Sequence, residues 1–266
     1  MKILLATDFS DASFNAFRYC QALSAQERMQ IYVAHVYRHG THPHLTPAQL
    51  ERFYAQEYAA FEARTRRFSQ QYPNLMDTQM VLRCAVEIDV TEGETSAALK
   101  RMAIEHDVDL IAIGSKTRPG LFRRLFGHLS RRLIHFQQKP LLIVPEAYHG
   151  DRPNRIALFA SDQAGLEAIR TWVGKQEMFR DCRLMAFVAG AADPAKLQAA
   201  PGVEGDARPI HSRVVTEVHH QLMQSQPDLL AVLLKQEADL PGLRFQEALI
   251  HHLYDHLERP LLCLHE

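Results

Sequence analysis

The sequence predicts an α/β protein built from two doubly wound, five-stranded parallel sheets in tandem, each covered by helices on both faces. Short apolar runs alternate with segments of helical period along the chain, and the alternation occurs twice. Lys2–Asp8 (KILLATD) is echoed by Arg155–Asp162 (RIALFASD), Asp109–Gly114 (DLIAIG) by Asp228–Leu233 (DLLAVL), and Lys139–Val144 (KPLLIV) by Arg259–Leu264 (RPLLCL). Three matching strands in one order define an internal repeat. The spacing from Asp109 to Pro140 nearly equals that from Asp228 to Pro260, but about 35 fewer residues separate Asp162 from Asp228 than separate Asp8 from Asp109. The second copy is therefore shortened in its middle. The predicted domains are residues 1–147 and 153–266, joined by a linker at Tyr148–Pro153 (YHGDRP).

In the first unit, strands are predicted near residues 2–7, 30–36, 78–85, 109–113 and 141–144. They are short, Leu-rich or β-branched, and apolar on both faces, as in a parallel sheet covered on both sides. Helices are predicted at 11–26, 47–71, 94–106 and 128–138. Thr46 before Pro47 is an N-cap with proline at the first helical position, and Pro73 marks that helix's stop. The second unit repeats the plan with strands near 155–160, 183–188, 208–212, 228–233 and 260–264, an Ala- and Pro-bearing stretch at 190–204 replacing the long helix. Right-handed crossovers between such strands give a doubly wound sheet. Ligands of these sheets lie beyond the carboxyl ends of the strands, where strand order reverses. Asp8 and the loop after Gly114 lie at such ends.

At 266 residues the chain exceeds the usual single-domain size, and its 47% apolar and 23% charged composition describes a globular protein with sizeable cores. A formal net charge of −1 argues against nucleic acid or membrane as main partner. Cys20, Cys84, Cys182 and Cys263 are scattered without a C-x-x-C pair and read as buried thiols. The first residues form too short an apolar run for a signal peptide, so a cytoplasmic location is expected.

The stretch Asp109–Pro145 carries the strongest functional signal. The strand Leu110–Ile113 empties into Gly114–Gly120 (GSKTRPG), and Gly127–Ser130 (GHLS) opens a helix. Glycines after a strand let backbone approach an anion, and free N–H groups at a helix start direct partial positive charge at it. No acidic residue occurs from Leu110 to Pro145, whereas Lys116, Arg118, Arg123, Arg124, Arg131, Arg132 and Lys139 are basic. The spacing matches neither G-x-x-x-x-G-K-[ST] nor G-x-G-x-x-G.

This loop resembles that of the universal stress protein family, whose nucleotide-binding members carry Gly-x2-Gly-x9-Gly-[Ser/Thr] between the fourth strand and the last helix. Gly114 and Gly127 match the first and third glycines, and Gly120, Leu121 and Leu125 match neighbouring positions. Thr117 stands at the middle glycine and His128 at the hydroxyl position. The resemblance extends over both halves. It implies two Rossmann-like domains of the adenine nucleotide alpha-hydrolase-like type, packed as a pseudo-dimer through their last strands, and a role in stress response. It implies ATP or a related adenine nucleotide as ligand, with Mg²⁺ accompanying it, and leaves open further homodimerisation and unidentified protein partners. On the base side it points to Ala6, Thr7, Asp8 and Val36, and on the phosphate side to Ile113, Gly114, Lys116, Thr117, Gly127, His128, Leu129 and Ser130.

Each residue also has a structural alternative. Asp8 with Ser10 after a strand is equally the N-cap of the next helix. Val36 is equally a core strand residue. A side chain at Thr117 narrows the space that glycine would leave, whereas His128, if protonated, would favour a polyanion. Three readings therefore stand: an adenine-nucleotide binder acting through its first half, a nucleotide-free scaffold acting through protein contacts, and a slow ATPase or phosphate-transfer role such as the resemblance allows. In the second half, Leu234–Leu243 (LKQEADLPGL) keeps Gly242 alone and adds Glu237 and Asp239, so at most one such site per chain is expected.

The 15 histidines invite a metal reading through His39, His42 and His44 and through His252 and His256. The loop set lacks a scaffold and the helical pair lacks an evident third ligand, so no metal site is expected. No nucleophile elbow or carboxylate pair is evident, so no catalytic residue is named and ATP hydrolysis is at most slow.

Overall fold

The computed structural model describes residues 1–24, 28–40, 44–70, 84–116, 129–130, 132–134, 136, 138–189, 208–210, 214–234 and 241–265. The first half contains β1 (Lys2–Ala6), α1 (Asp11–Leu23), β2 (Met29–Tyr37), α2 (Pro47–Gln70), β3 (Cys84–Glu92), α3 (Thr95–Glu105), β4 (Leu110–Ser115) and β5 (Leu141–Pro145). The second contains β6 (Arg155–Ala160), α4 (Gln163–Lys175), β7 (Arg183–Ala189), β8 (Arg208–Ile210), α5 (Val215–Gln224), β9 (Leu229–Leu234), α6 (Pro241–Asp255) and β10 (Leu261–His265).

All ten strands join one sheet in the order β3-β2-β1-β4-β5-β10-β9-β6-β7-β8. Each half has the same internal order, and every pairing is parallel except β5 with β10, which meet antiparallel with Leu142 opposite Leu262. Side chains alternate across this seam, as the two-residue period of a strand requires. Leu142, Val144, Leu262 and Leu264 enter the core under α1 and α4. Leu141, Ile143, Leu261 and Cys263 enter the core on the opposite face, with Leu99 and Met102 of α3 and Leu249 and Leu253 of α6. Both cores thus run continuously across the two halves.

The connection between the halves is fastened. The Asn15 side-chain amide donates to the carbonyls of Pro145 and Tyr148 at 2.7 and 2.6 Å, and Arg18 donates to the Gly150 carbonyl and pairs with Asp151, both at 2.9 Å. Tyr148 is buried against Tyr19 with ring centroids 5.8 Å apart.

Several boundaries differ from those expected. The third strand, predicted at 78–85, lies at Cys84–Glu92, with 78–83 outside the described residues. Its sequence, CAVEIDVTE, alternates apolar and charged residues because it is an edge strand with one face to solvent, so a search for doubly apolar runs misses it. Glu94, predicted inside the third helix, is that helix's N-cap and accepts from the Ala97 N–H at 2.8 Å. The last helix of the first half, predicted at 128–138, is helical at 129–130 and 132–134, and Phe136 has left the helix. α1 ends at Leu23 rather than 26, and α5 and α6 supply bounds for helices of the repeated plan, with His252 on α6 and His256 just past its end. Thr46 caps α2 reciprocally with Gln49, whereas Pro73 and the stretch 190–204 fall outside the described residues.

Candidate functional site

The order 3-2-1-4-5 reverses direction between β1 and β4, so their carboxyl ends form the crevice where such sheets take ligands. Ala6 ends β1 opposite Ile113 of β4 and Ala34 of β2. Ala6, Val36 and Leu129 are half-buried on one sheet face and share a core cluster with buried Ile113. Ala6, Val36 and Ile113 thus sit near the carboxyl ends of β1, β2 and β4 on one face of the sheet, and Leu129 packs on the same core. Thr117, Gly127 and His128 lie outside the described residues.

The turn after β1 is built by a chain of hydrogen bonds. The Phe9 N–H donates to Thr7 Oγ1 at 3.0 Å, and Thr7 Oγ1 lies 3.1 Å from Ser13 Oγ, whose hydroxyl donates to the Ser10 carbonyl at 2.9 Å. Buried Thr7 thus spends its hydroxyl inside the turn. The N-cap of α1 is Ser10, which accepts from the Ser13 N–H. Asp8 instead accepts from the Ser10 N–H at 3.0 Å and stays exposed at the crevice. Though its surface is exposed, surrounding protein partly desolvates the carboxylate and raises it, but hydrogen bonds from Ser10 and Ser13 and the charge of Lys116 just after β4 outweigh that, so it titrates below the usual aspartate range.

Phe9, between them, adopts φ 62°, a left-handed conformation costly for a bulky side chain. Its ring is held by His35 at a centroid distance of 4.3 Å and by the Arg64 guanidinium at 4.4 Å. His35 lies 2.9 Å from the Thr7 carbonyl through Nδ1, which must carry the proton because a carbonyl only accepts. Its Nε2 is buried with no hydrogen-bond partner among the described residues. Burial depresses the imidazole's pKa, with the Arg64 charge adding to it, against the opposing effects of the Thr7 carbonyl and Asp8.

Gly114 has a packing reason of its own. A Cβ there would fall 2.2 Å from the carbonyl carbon and oxygen of Ala12 and 2.5 Å from the Ser13 nitrogen. The first turn of α1 lies directly on this glycine, so its identity is required whether or not a phosphate approaches.

Two neighbours of the crevice were not singled out from sequence. Glu94 receives Arg132 at 2.6 Å, with Arg38 at 3.9 Å, tying the start of α3 to the helix that begins near Leu129. Hydrogen bonds from the Ser96 hydroxyl and the Ala97 N–H hold the Glu94 carboxyl down to about 2, with help from Arg132. Glu94 thus adds an acid to Asp8, and Arg132, one of the basic residues of the 110–145 stretch, is engaged by it. The second neighbour is Tyr254 of α6, whose hydroxyl lies 3.1 Å from Ser130 Oγ; Ser130 is 3% exposed. A Glu three residues before Ala97 is readable as a cap, but a pairing across 124 residues leaves no local signal.

The family profile described as "Universal stress protein family" matches residues 1–145, more than half of the chain. The chain belongs to the universal stress protein family. Among solved structures, a universal stress protein from Archaeoglobus fulgidus is 12% identical and superposes over 100% of this chain and 96% of its own, with TM-score 0.69. A second assigned to the family, from Pseudomonas aeruginosa, is 10% identical over 99% of this chain and 92% of its own, with TM-score 0.61. At these identities the likeness establishes the fold. No match was found among curated proteins. Among the described residues no helix is long and apolar enough to cross a membrane, and no group of three or more His, Cys, Asp or Glu is placed to hold a metal ion. His39 instead sits between Glu57 at 2.8 Å and Glu92 at 3.6 Å, and His252 lies 3.2 Å from His219.

Proposed function

We propose that the first half, residues 1–147, binds one adenine nucleotide, ATP or a close relative, as a regulatory ligand of a cytoplasmic stress-response protein. The observation that supports it best is the placement of Ala6, Val36 and Ile113 at neighbouring strand ends on one face of the crevice, with Leu129 against the same core. That gives a flat base an apolar slot, with the exposed Asp8 carboxylate beside it to accept from an exocyclic amine. In sequence, Gly114 and Lys116 lead into the segment Thr117 to Ser130, a composition of amides and basic side chains that suits a polyanion. Mg²⁺ would be carried chiefly by the phosphates, because Glu94 already binds Arg132 and caps α3.

The role is binding rather than turnover: Asp8 and Glu94 are held by a turn and a cap, so neither is set to activate water. Ligand that binds only the folded state stabilises it by about 2.7 kcal/mol at a hundredfold excess over Kd. Millimolar ATP should therefore raise the melting temperature, and denatured protein should release adenine nucleotide detectable by mass spectrometry. An unchanged melting temperature together with no released nucleotide refutes the proposal. One observation favours the scaffold reading in that event: the backbone of Ala12 and Ser13 requires Gly114 without any ligand.

A further inference from the structure

The second half carries a residue that reaches Ser130 of the first half. Tyr254 lies on α6, and its hydroxyl is 3.1 Å from Ser130 Oγ. Both lie where the opposite-face core crosses the β5–β10 seam, Ser130 buried and Tyr254 packed against that core. The repeat makes the pair unequal. Pro140 and Pro260 occupy corresponding places before β5 and β10, so Ser130 corresponds to Ile250 and Tyr254 to Ile134. Ile134 and Ile250 are both buried in the same core. The seam thus carries a polar pair on the side of the proposed phosphates and apolar residues at the two positions related to it. A hydroxyl pair in an apolar setting has no packing advantage over two aliphatic side chains and requires its bonds to be made.

We propose that Tyr254 is a positioning residue for nucleotide phosphate, an inference that rests on the function proposed above. Either hydroxyl can donate in the unliganded protein. An arriving phosphate oxygen fixes the direction: Tyr254 O–H donates to Ser130 Oγ, and Ser130 O–H donates to the phosphate. No proton is transferred. The two bonds polarise each other in the same sense, so phosphate binding tightens the hold of α6 on the first half. Occupancy of one half is thereby felt in the other.

The test is calorimetric titration of the full chain and its Tyr254→Phe, Ser130→Ala and double variants with ATP and with adenosine. Tyr254→Phe keeps the ring and its packing. It is expected to weaken ATP roughly three- to tenfold, the worth of one neutral hydrogen bond, and to leave adenosine unchanged. Adding Tyr254→Phe to Ser130→Ala should weaken ATP no further, because the relay is already cut. Wild-type ATP affinity in Tyr254→Phe, or equal losses for ATP and adenosine, overturns the positioning role while leaving nucleotide binding intact. A wild-type chain that binds neither ligand overturns both.

Discussion

Leu233 and Gly165 repeat the contact of Gly114 with Ala12 with the partners exchanged. Gly114 on β4 lies under the backbone of α1, whereas its counterpart in the repeat is Leu233 on β9, and the glycine has moved to α4 as Gly165. A Cβ on Gly165 would meet Leu233 Cδ2 at 3.1 Å and Ala160 Cβ at 3.2 Å. Each half thus seats its first helix on its fourth strand with one small residue, but only the first half leaves the strand end bare. In the second, a leucine side chain occupies that place, 4% exposed.

The two glycines should therefore respond differently to alanine. Gly114→Ala drives a methyl into Ala12 backbone, which cannot give way as a side-chain tip can, and should cost about 3 kcal/mol or more. Gly165→Ala needs only a few tenths of an ångström from Leu233 and Ala160 and gains helix propensity, so its cost should be well below that of Gly114→Ala, about 1 kcal/mol or less. Urea denaturation of the two variants checks both.

The two aspartates of the repeat should also separate. Asp162 caps α4 by accepting from the Gly165 N–H at 2.8 Å, whereas Ser10 caps α1 and leaves Asp8 outside the helix mouth. Asp162→Ala and Ser10→Ala should each lose about 1 kcal/mol of stability. Asp8→Ala should lose less than either, while its ATP affinity falls; unaltered affinity would remove Asp8 from the base-reading role.

Acid should weaken the fold in two stages. His35 and His219 have pKa values lowered chiefly by burial, with the neighbouring His252 and His256 also depressing His219 against Glu258. His252 is lowered by burial and by His256, against Asp255. Because the unfolded chain protonates first, their stabilising effect is whole above about pH 6.5 and declines as pH falls through the folded values. Glu94 runs lower: its contribution is whole above 4.5 and is lost as pH falls through about 2. Melting temperatures from pH 8 to 5 should fall, and His35→Gln should flatten the upper part of that fall.

Restoring the family residues should strengthen binding. Thr117→Gly and His128→Ser together are expected to raise ATP affinity, because the family's glycine and hydroxyl residue take less space at these two sequence positions. An unchanged or lower affinity, by the same titration, would show that neither side chain limits the site.

Most of the architecture was legible because parallel strands announce themselves: KILLATD, DLIAIG and KPLLIV are buried on both faces and recur in the second half. CAVEIDVTE was not, since an edge strand alternates like many surface segments. At the site, Ala6, Val36, Ile113 and Leu129 were named through the family resemblance, which the spacing of Gly114 and Gly127 carried. His35, Glu94 and Tyr254 were missed because their importance comes from partners at Thr7, Arg132 and Ser130, and the last two lie far along the chain. Asp8 was ambiguous for a local reason: whether an aspartate or a serine two residues later caps the helix depends on where the first turn begins.

The most direct measurement is the stoichiometry of ATP binding by calorimetry on wild-type chain freed of nucleotide. The account requires one site per chain, abolished or weakened by changes at Asp8 and Ser130 and indifferent to Asp162→Ala in the second half. Two equivalent sites, or heat indistinguishable from dilution, would contradict it.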